Sequence, residues 1–308
     1  LIEVVNYSSL DITSNSSNCG YIGYYAKHII KNAKDTYLST DDSGYIFYDD
    51  WRKVYLIGYV GSDTELVLPE TSPAGTRQYT VYDYAFYRCT QFTSIVLPYG
   101  VAGIGDFAFY RCTGIKNMEI PDSVTGIGES AFGRCTELTS VVIPESVKST
   151  GYSTFFGCYK LIEIINQSTL NIVAGNENYG YVGYYAKHII ADIKYTYLTI
   201  DKNGYIFYDD GSNVYLMGYA GSDAKLILPE TSPAGKKYEI YNYAFSGCTW
   251  VTDITIPKSI TSVGGKVFSG CRALKNVYYK GTQEEWQAIS KSSDWDADNY
   301  GYDIHYDA

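Results

Sequence analysis

The sequence predicts an α/β repeat protein: a solenoid on one parallel β-sheet of about nine rungs, with two helix-plus-hairpin inserts and a C-terminal cap. Two periods predict it. Cys89, Cys112, Cys135 and Cys158 are spaced by 23 residues, as are Cys248 and Cys271. Residues 3 to 75 recur as 163 to 235 at a constant offset of 160. Both periods carry apolar side chains that a single unit has no means of burying, so neighbouring units must stack into one continuous core.

The short period defines the rung. Cys89-Thr-Gln-Phe-Thr-Ser-Ile-Val-Leu-Pro98 aligns with Cys112 to Pro121 and Cys135 to Pro144, apolar at three, six and eight residues after Cys. Alternation at six and eight marks a short strand with one buried face, and Pro ends it by withholding a ladder donor. Such strands fall near residues 4, 67, 96, 119, 142, 165, 227, 255 and 278, which at standard spacing is about 40 Å of sheet. Phe86, Phe109, Phe132, Phe155, Phe245 and Phe268 each precede a Cys by three. An equal-spaced aromatic column reads as the thickest layer of the core. The cysteine column reads as buried free thiols, because parallel Cβ vectors disfavour disulfides. Cys19 aligns with Tyr179 and has no required role.

The long period marks the inserts, at about 11–64 and 171–224. Gly23 to Ile30 recurs unchanged as Gly183 to Ile190, and Gly44 to Asp50 as Gly204 to Asp210. Residues 21–31 and 181–191 read as short helices, followed by Tyr-rich hairpins entered through turn-forming strings at Gly44 and Gly204. The solenoid therefore runs over 1–281 and the cap over 282–308, where Thr282 and Glu285 have capping-box spacing ahead of Trp286 and Ile289. Leu1 to Asn6 copies Leu161 to Asn166, so residue 1 falls inside a repeat and a piece of a longer protein is expected.

The string Cys-Thr-x-Leu-x-x-Val-x-Ile-Pro-x-x-Val-x-x-Ile-Gly-x-x-Ala-Phe resembles the BspA-like leucine-rich repeats of bacterial surface proteins, and matching rungs cover nearly the whole chain. The Gly-Tyr-Ile-Phe-Tyr-Asp-Asp insert and the Gly-Thr-x-Glu-Glu-Trp cap are similar to elements of gut-bacterial members. The resemblance implies a leucine-rich-repeat solenoid at the cell surface or outside the cell. It also implies adhesion to a protein or peptide partner, with host and matrix proteins among the candidates. Asn166 and Gln167 depart from the strand apolar and the Pro, and Thr150 from the apolar residue before Gly151, so a looser rung is expected there.

Composition excludes several classes. A net charge of -10 with no basic cluster opposes nucleic-acid binding, and no apolar run reaches the roughly 20 residues of a membrane span. No enzyme and no cofactor are expected: His28 and His188 are one position in two copies, and Asp49-Asp50 and Asp209-Asp210 read as turn polars whose adjacent side chains point apart. Asp294, Asp296 and Asp298 have the opening spacing of a calcium loop but lack its late Glu, so no metal is assigned. The candidate binding stripe is the outward column seven residues after Cys: Val5, Val67, Val96, Glu119, Val142, Ile165, Ile227, Thr255 and Tyr278. Exposed aliphatics on a concave face mark a partner site, unless the inserts cover them. The alternatives are a glycan site on the insert tyrosines, Tyr45, Tyr48, Tyr205 and Tyr208, drawn from 35 in the chain, and a passive spacer in a larger surface protein.

Overall fold

The computed structural model describes residues 3–5, 28–30, 37–73, 75, 77–190, 197–297 and 301–307, the first two segments in backbone alone. All nine expected rungs are strands: Glu3–Val5, Glu65–Val67, Ser94–Val96, Asn117–Glu119, Ser140–Ile143, Glu163–Asn166, Lys225–Ile227, Asp253–Ile256 and Asn276–Tyr279. Their pairing is parallel and follows the repeat, with Ser140 opposite Asn117 and Glu163 opposite Ser140. The side chain six residues after Cys points inward each time, as in Ile95, Met118 and Val141. The ladder is divided into four sheets: two of two strands and two of four.

Each four-stranded sheet ends on a rung not expected from the sequence. His188–Ile190 pairs with Glu163–Asn166, and Asp303–Tyr306 pairs with Asn276–Tyr279. His28–Ile30 pairs likewise with Glu3–Val5. The helix expected over 181–191 is therefore a strand in its second half. Two successive β-branched isoleucines beside an open sheet edge gain more from ladder hydrogen bonds than from a helical turn. What helix there is, Asn178–Tyr181, is one distorted turn with positive φ at Tyr179 and Gly180. Residues 21–27 of the other expected helix lie outside the described residues. At the rung where looser packing is expected, the Asn166 amide donates to the Leu170 carbonyl and its Oδ1 accepts from the Ser168 N–H and hydroxyl, closing a local turn.

Seven of the repeats also supply a second strand among the described residues. Tyr79–Val81, Val101–Ile104, Gly126–Ile127 and Ser149–Thr150 form a parallel ladder, and Glu239–Ile240, Ser262–Val263 and Ser290–Lys291 form another. Both ladders start from an insert. Leu38–Thr40, Tyr45–Asp49 and Val54–Tyr59 are antiparallel, and Val54–Tyr59 then pairs in parallel with Tyr79–Val81. Leu198–Ile200, Tyr205–Asp209 and Val214–Tyr219 repeat the arrangement. The turn into each is held by an aspartate: Asp41 Oδ1 accepts from the Ser43 and Tyr45 N–H groups, with Gly44 at a φ of 90° that glycine adopts without strain.

The phenylalanines stack inside. Phe86, Phe109, Phe132 and Phe155 lie 5.2, 5.4 and 5.3 Å apart between ring centroids, the first two pairs nearly parallel, and all four are buried. The cysteines serve this column. Cys112, Cys135, Cys158 and Cys271 each donate their thiol to the carbonyl of the Phe one repeat before. Burial pushes Cys158 and Cys248 up to about 12 and Cys271 to about 11, and raises Cys112 and Cys135 as well. Thiolate is the reactive form, so these five stay inert at neutral pH. Of the described cysteines, a maleimide is expected to label half-exposed Cys89 in the native protein, and the other five only after unfolding. Mass spectrometry of native and denatured samples checks this; rapid native labelling of Cys135 would contradict the buried column.

Two cores result, one spanning Tyr45 to Ala186 and one spanning Tyr205 to Tyr302. A smaller cluster of Ile162, Ile206, Tyr208, Tyr215 and Met217 lies between them. The contact is reinforced where the Tyr159 ring stacks on Tyr243 at 4.2 Å and Lys116 Nζ donates to the Ala220 carbonyl at 3.1 Å. At the far end Gln283–Ala288 is a helix with the expected capping box on Thr282 and Glu285, and buried Trp286 packs on Tyr279 and Trp295.

Candidate binding surface

The outward column is divided with the ladder. Val67 lies beside Val96, Glu119 beside Val142 and Ile165, and Ile227 beside Thr255 and Tyr278. Val67 is 65% exposed, Val96 49% and Ile227 64%, values that leave aliphatic surface facing water. Glu119 is exposed, Val142, Thr255 and Tyr278 are half-buried, and Ile165 is buried at 1%. Ile165 is thus not a surface contact. Val5 carries no described side chain.

The second hairpin covers Ile165. Glu163 is fully buried and its Oε1 accepts the Tyr197 N–H at 2.8 Å, which fixes the chain entering Leu198–Ile200 above the rung Glu163–Asn166. Between hairpin and rungs lies a groove of about 350 Å³, with Val142 and Ile165 among the rung residues and Leu198, Ile200 and Ile206 from the hairpin. Leu198–Ile200 is the outermost strand of its sheet, and Ile200 is 61% exposed at the rim. The hairpin side of this groove is absent from the expected stripe. Its sequence signal is present in the pair Leu198 and Ile200, apolar residues two apart on a strand and hence on one face.

Tyr278 is occupied: its ring stacks on His305 at 4.8 Å, from the added rung, while His305 Nε2 lies 3.0 Å from Asn276 Oδ1. The insert tyrosines are occupied too. Tyr45, Tyr48, Tyr205 and Tyr208 are at most 5% exposed. Tyr45 and Tyr205 donate their hydroxyls to the carbonyls of Val67 and Ile227, at 2.9 and 2.8 Å. These rings tie the second sheet to the rungs and offer no face to a sugar, which corrects their reading as glycan contacts.

The carboxylate pairs are consumed by turns. Asp49 accepts the Trp51 N–H and pairs with Arg77 at 2.8 Å, and Asp50 accepts the Arg52 and Lys53 N–H groups. Asp209 repeats this with Gly211 and Lys236. In the cap, Asp294 accepts from the Ser292 hydroxyl and Asp296 from the Tyr302 hydroxyl, while Asp298 lies outside the described residues. His188 has no described side chain.

Six copies of the BspA type leucine rich repeat region match residues 79–180 and 231–292, more than half of the chain. The chain belongs to the BspA-type leucine-rich-repeat family. Solved structures similar to it include a leucine rich cell surface protein of Faecalibacterium prausnitzii, at 19% identity and TM-score 0.33 over 88% of this chain and 95% of that one. The leucine rich repeat protein TpLRR of T. pallidum matches at 19% identity and TM-score 0.36, over 88% and 90%. The pneumococcal vaccine antigen PcpA matches at 13% and 0.28, over 88% and 87%. At scores this low, family membership rests on the repeats alone. No curated protein sequence matches the chain. The family match points to no enzymatic family, and among the described residues no helix is long and apolar enough to cross a membrane.

Proposed function

We propose that this BspA-type chain is a non-catalytic binding module displayed at the cell surface, and that it holds an apolar segment of a partner protein. One observation carries the reading: the groove between the rungs and the second hairpin presents Val142, Leu198, Ile200 and Ile206 beside polar Asn117, Glu119 and Ser140, and is open along Ile200. Val67 and Val96 on one sheet and Ile227 on another add further exposed apolar surface at equivalent positions. Burying such side chains against a partner releases water from both surfaces, at about 25 cal/mol per Å². The family supports the surface location, and the groove together with that location supports the adhesive role.

Selecting peptides from a random display library on the purified chain tests this. Enriched peptides are expected to be apolar and to bind Ile200→Asp and Val142→Asp at least about tenfold more weakly, as for central interface residues. Ile200 is exposed, so its substitution leaves the melting temperature unchanged. Equal affinity for wild type and both variants would end the proposal.

A further inference from the structure

The residue before each cysteine is held in the left-handed region in all six 23-residue repeats. It is Gly157, Gly247 and Gly270 in three of them, at φ near 79°, and Arg88, Arg111 and Arg134 in the other three, at φ of 60, 60 and 59°. Glycine takes this conformation freely, whereas a side chain is strained in it. Three consecutive repeats therefore carry arginine where glycine fits the backbone better. Backbone hydrogen bonds from Arg88 N to Tyr110 O, Arg111 N to Gly133 O and Arg134 N to Phe156 O hold the three in register. They follow the pitch of the neighbouring Phe stack, 5.2 and 5.4 Å.

The three arginines line one shallow groove of about 270 Å³ together with Thr90, Thr113 and Thr136, and Tyr159 bounds it. No carboxylate lines it. Among the described residues none of the three arginines is in an ion pair. On a chain of net charge -10, like charges one rung apart repel each other, and Arg111 lies over the Tyr110 ring at 5.8 Å with no carboxylate in the groove to offset the repulsion. An anion bound across them offsets the repulsion.

We infer that this groove binds a linear acidic polysaccharide, at a site separate from the apolar groove. Each rung offers one planar fork for a carboxylate or sulfate and one threonine hydroxyl for a sugar hydroxyl, the pair that one acidic sugar residue needs. A polymer with one acid per sugar repeats at about the length of a rung. An extended acidic peptide repeats its same-face side chains every two residues, roughly 6.6 Å, and drifts out of register by the third arginine. A nucleic acid meets the repulsion of the remaining surface.

Polygalacturonate and dextran sulfate, carrying carboxylate and sulfate respectively, are the probes. Uncharged dextran, polyglutamate and single-stranded DNA are the comparison ligands. Binding of at least one acidic polysaccharide is expected by calorimetry, weakening with salt, and the two probes identify which acid group is preferred. Arg111→Gly is expected to weaken it by about tenfold, the size of effect that removing one charge-assisted hydrogen bond has, and Arg88→Gly/Arg111→Gly/Arg134→Gly to abolish it. Glycine is the residue of the other repeats, so the melting temperature of the triple variant stays level or rises, and Ile200→Asp leaves polysaccharide binding intact. Absence of binding by both probes, equal binding of the triple variant, or tighter binding of dextran, polyglutamate or DNA would overturn the inference.

Discussion

Phe132→Ala is expected to lower the unfolding free energy by about 3 to 5 kcal/mol, the range for truncating a fully buried ring. Phe132 is 0% exposed and sandwiched between Phe109 at 5.4 Å and Phe155 at 5.3 Å, so the cavity opens between two rigid rings that have no freedom to close it. The effect spreads no further than the adjacent repeats, because each rung bonds only to its neighbours. Urea denaturation followed by tyrosine fluorescence measures it. A loss under about 1 kcal/mol would show that the column does not carry the core.

Glu137→Gln is expected to have a comparable effect for another reason. Lys160 is 2% exposed, and its ammonium meets both oxygens of Glu137 at 2.8 Å. A Cβ added to Gly218 would lie 3.3 Å from that ammonium, so the charge is pressed between the two halves of the chain. A buried cation stripped of its partner costs about 3 to 5 kcal/mol, whereas replacing both ions by apolar groups of similar volume is often neutral. Glu137→Gln alone should therefore destabilise, and adding Lys160→Met should restore most of the stability. A double variant no more stable than the single one would mean that the pair matters for something besides its charge.

The rungs are legible in the sequence because a fixed period repeats the same apolar positions, and each copy of Phe, Cys and Ile reinforces the same assignment. The second strand is not. Gly126–Ile127 and Ser149–Thr150 are two residues long, too short for alternation to register. The tyrosines mislead because their number suggests a contact surface, whereas Tyr45 and Tyr205 are spent on the carbonyls of Val67 and Ile227. Ile165 reads as exposed because its cover comes from Tyr197 onward, a tertiary contact that local spacing does not encode. The arginine column has a visible signal, three Arg and three Gly before six cysteines. Charged residues without a chemical motif read as ordinary surface, so only the backbone conformation gives that column meaning.

The antiparallel hairpin at the head of each second ladder has a consequence for how such chains lengthen. It starts a ladder afresh, in the same way at both places, with Val54–Tyr59 receiving Tyr79–Val81 and Val214–Tyr219 receiving Glu239–Ile240. A duplicated block therefore brings the start of its own second ladder, while its first rung, Glu163–Asn166, still pairs with Ser140–Ile143 of the block before it. Lengthening by whole blocks keeps the second ladder of each block intact and has to rebuild only the rung pairing and the Tyr159–Tyr243 and Lys116–Ala220 contacts at each junction.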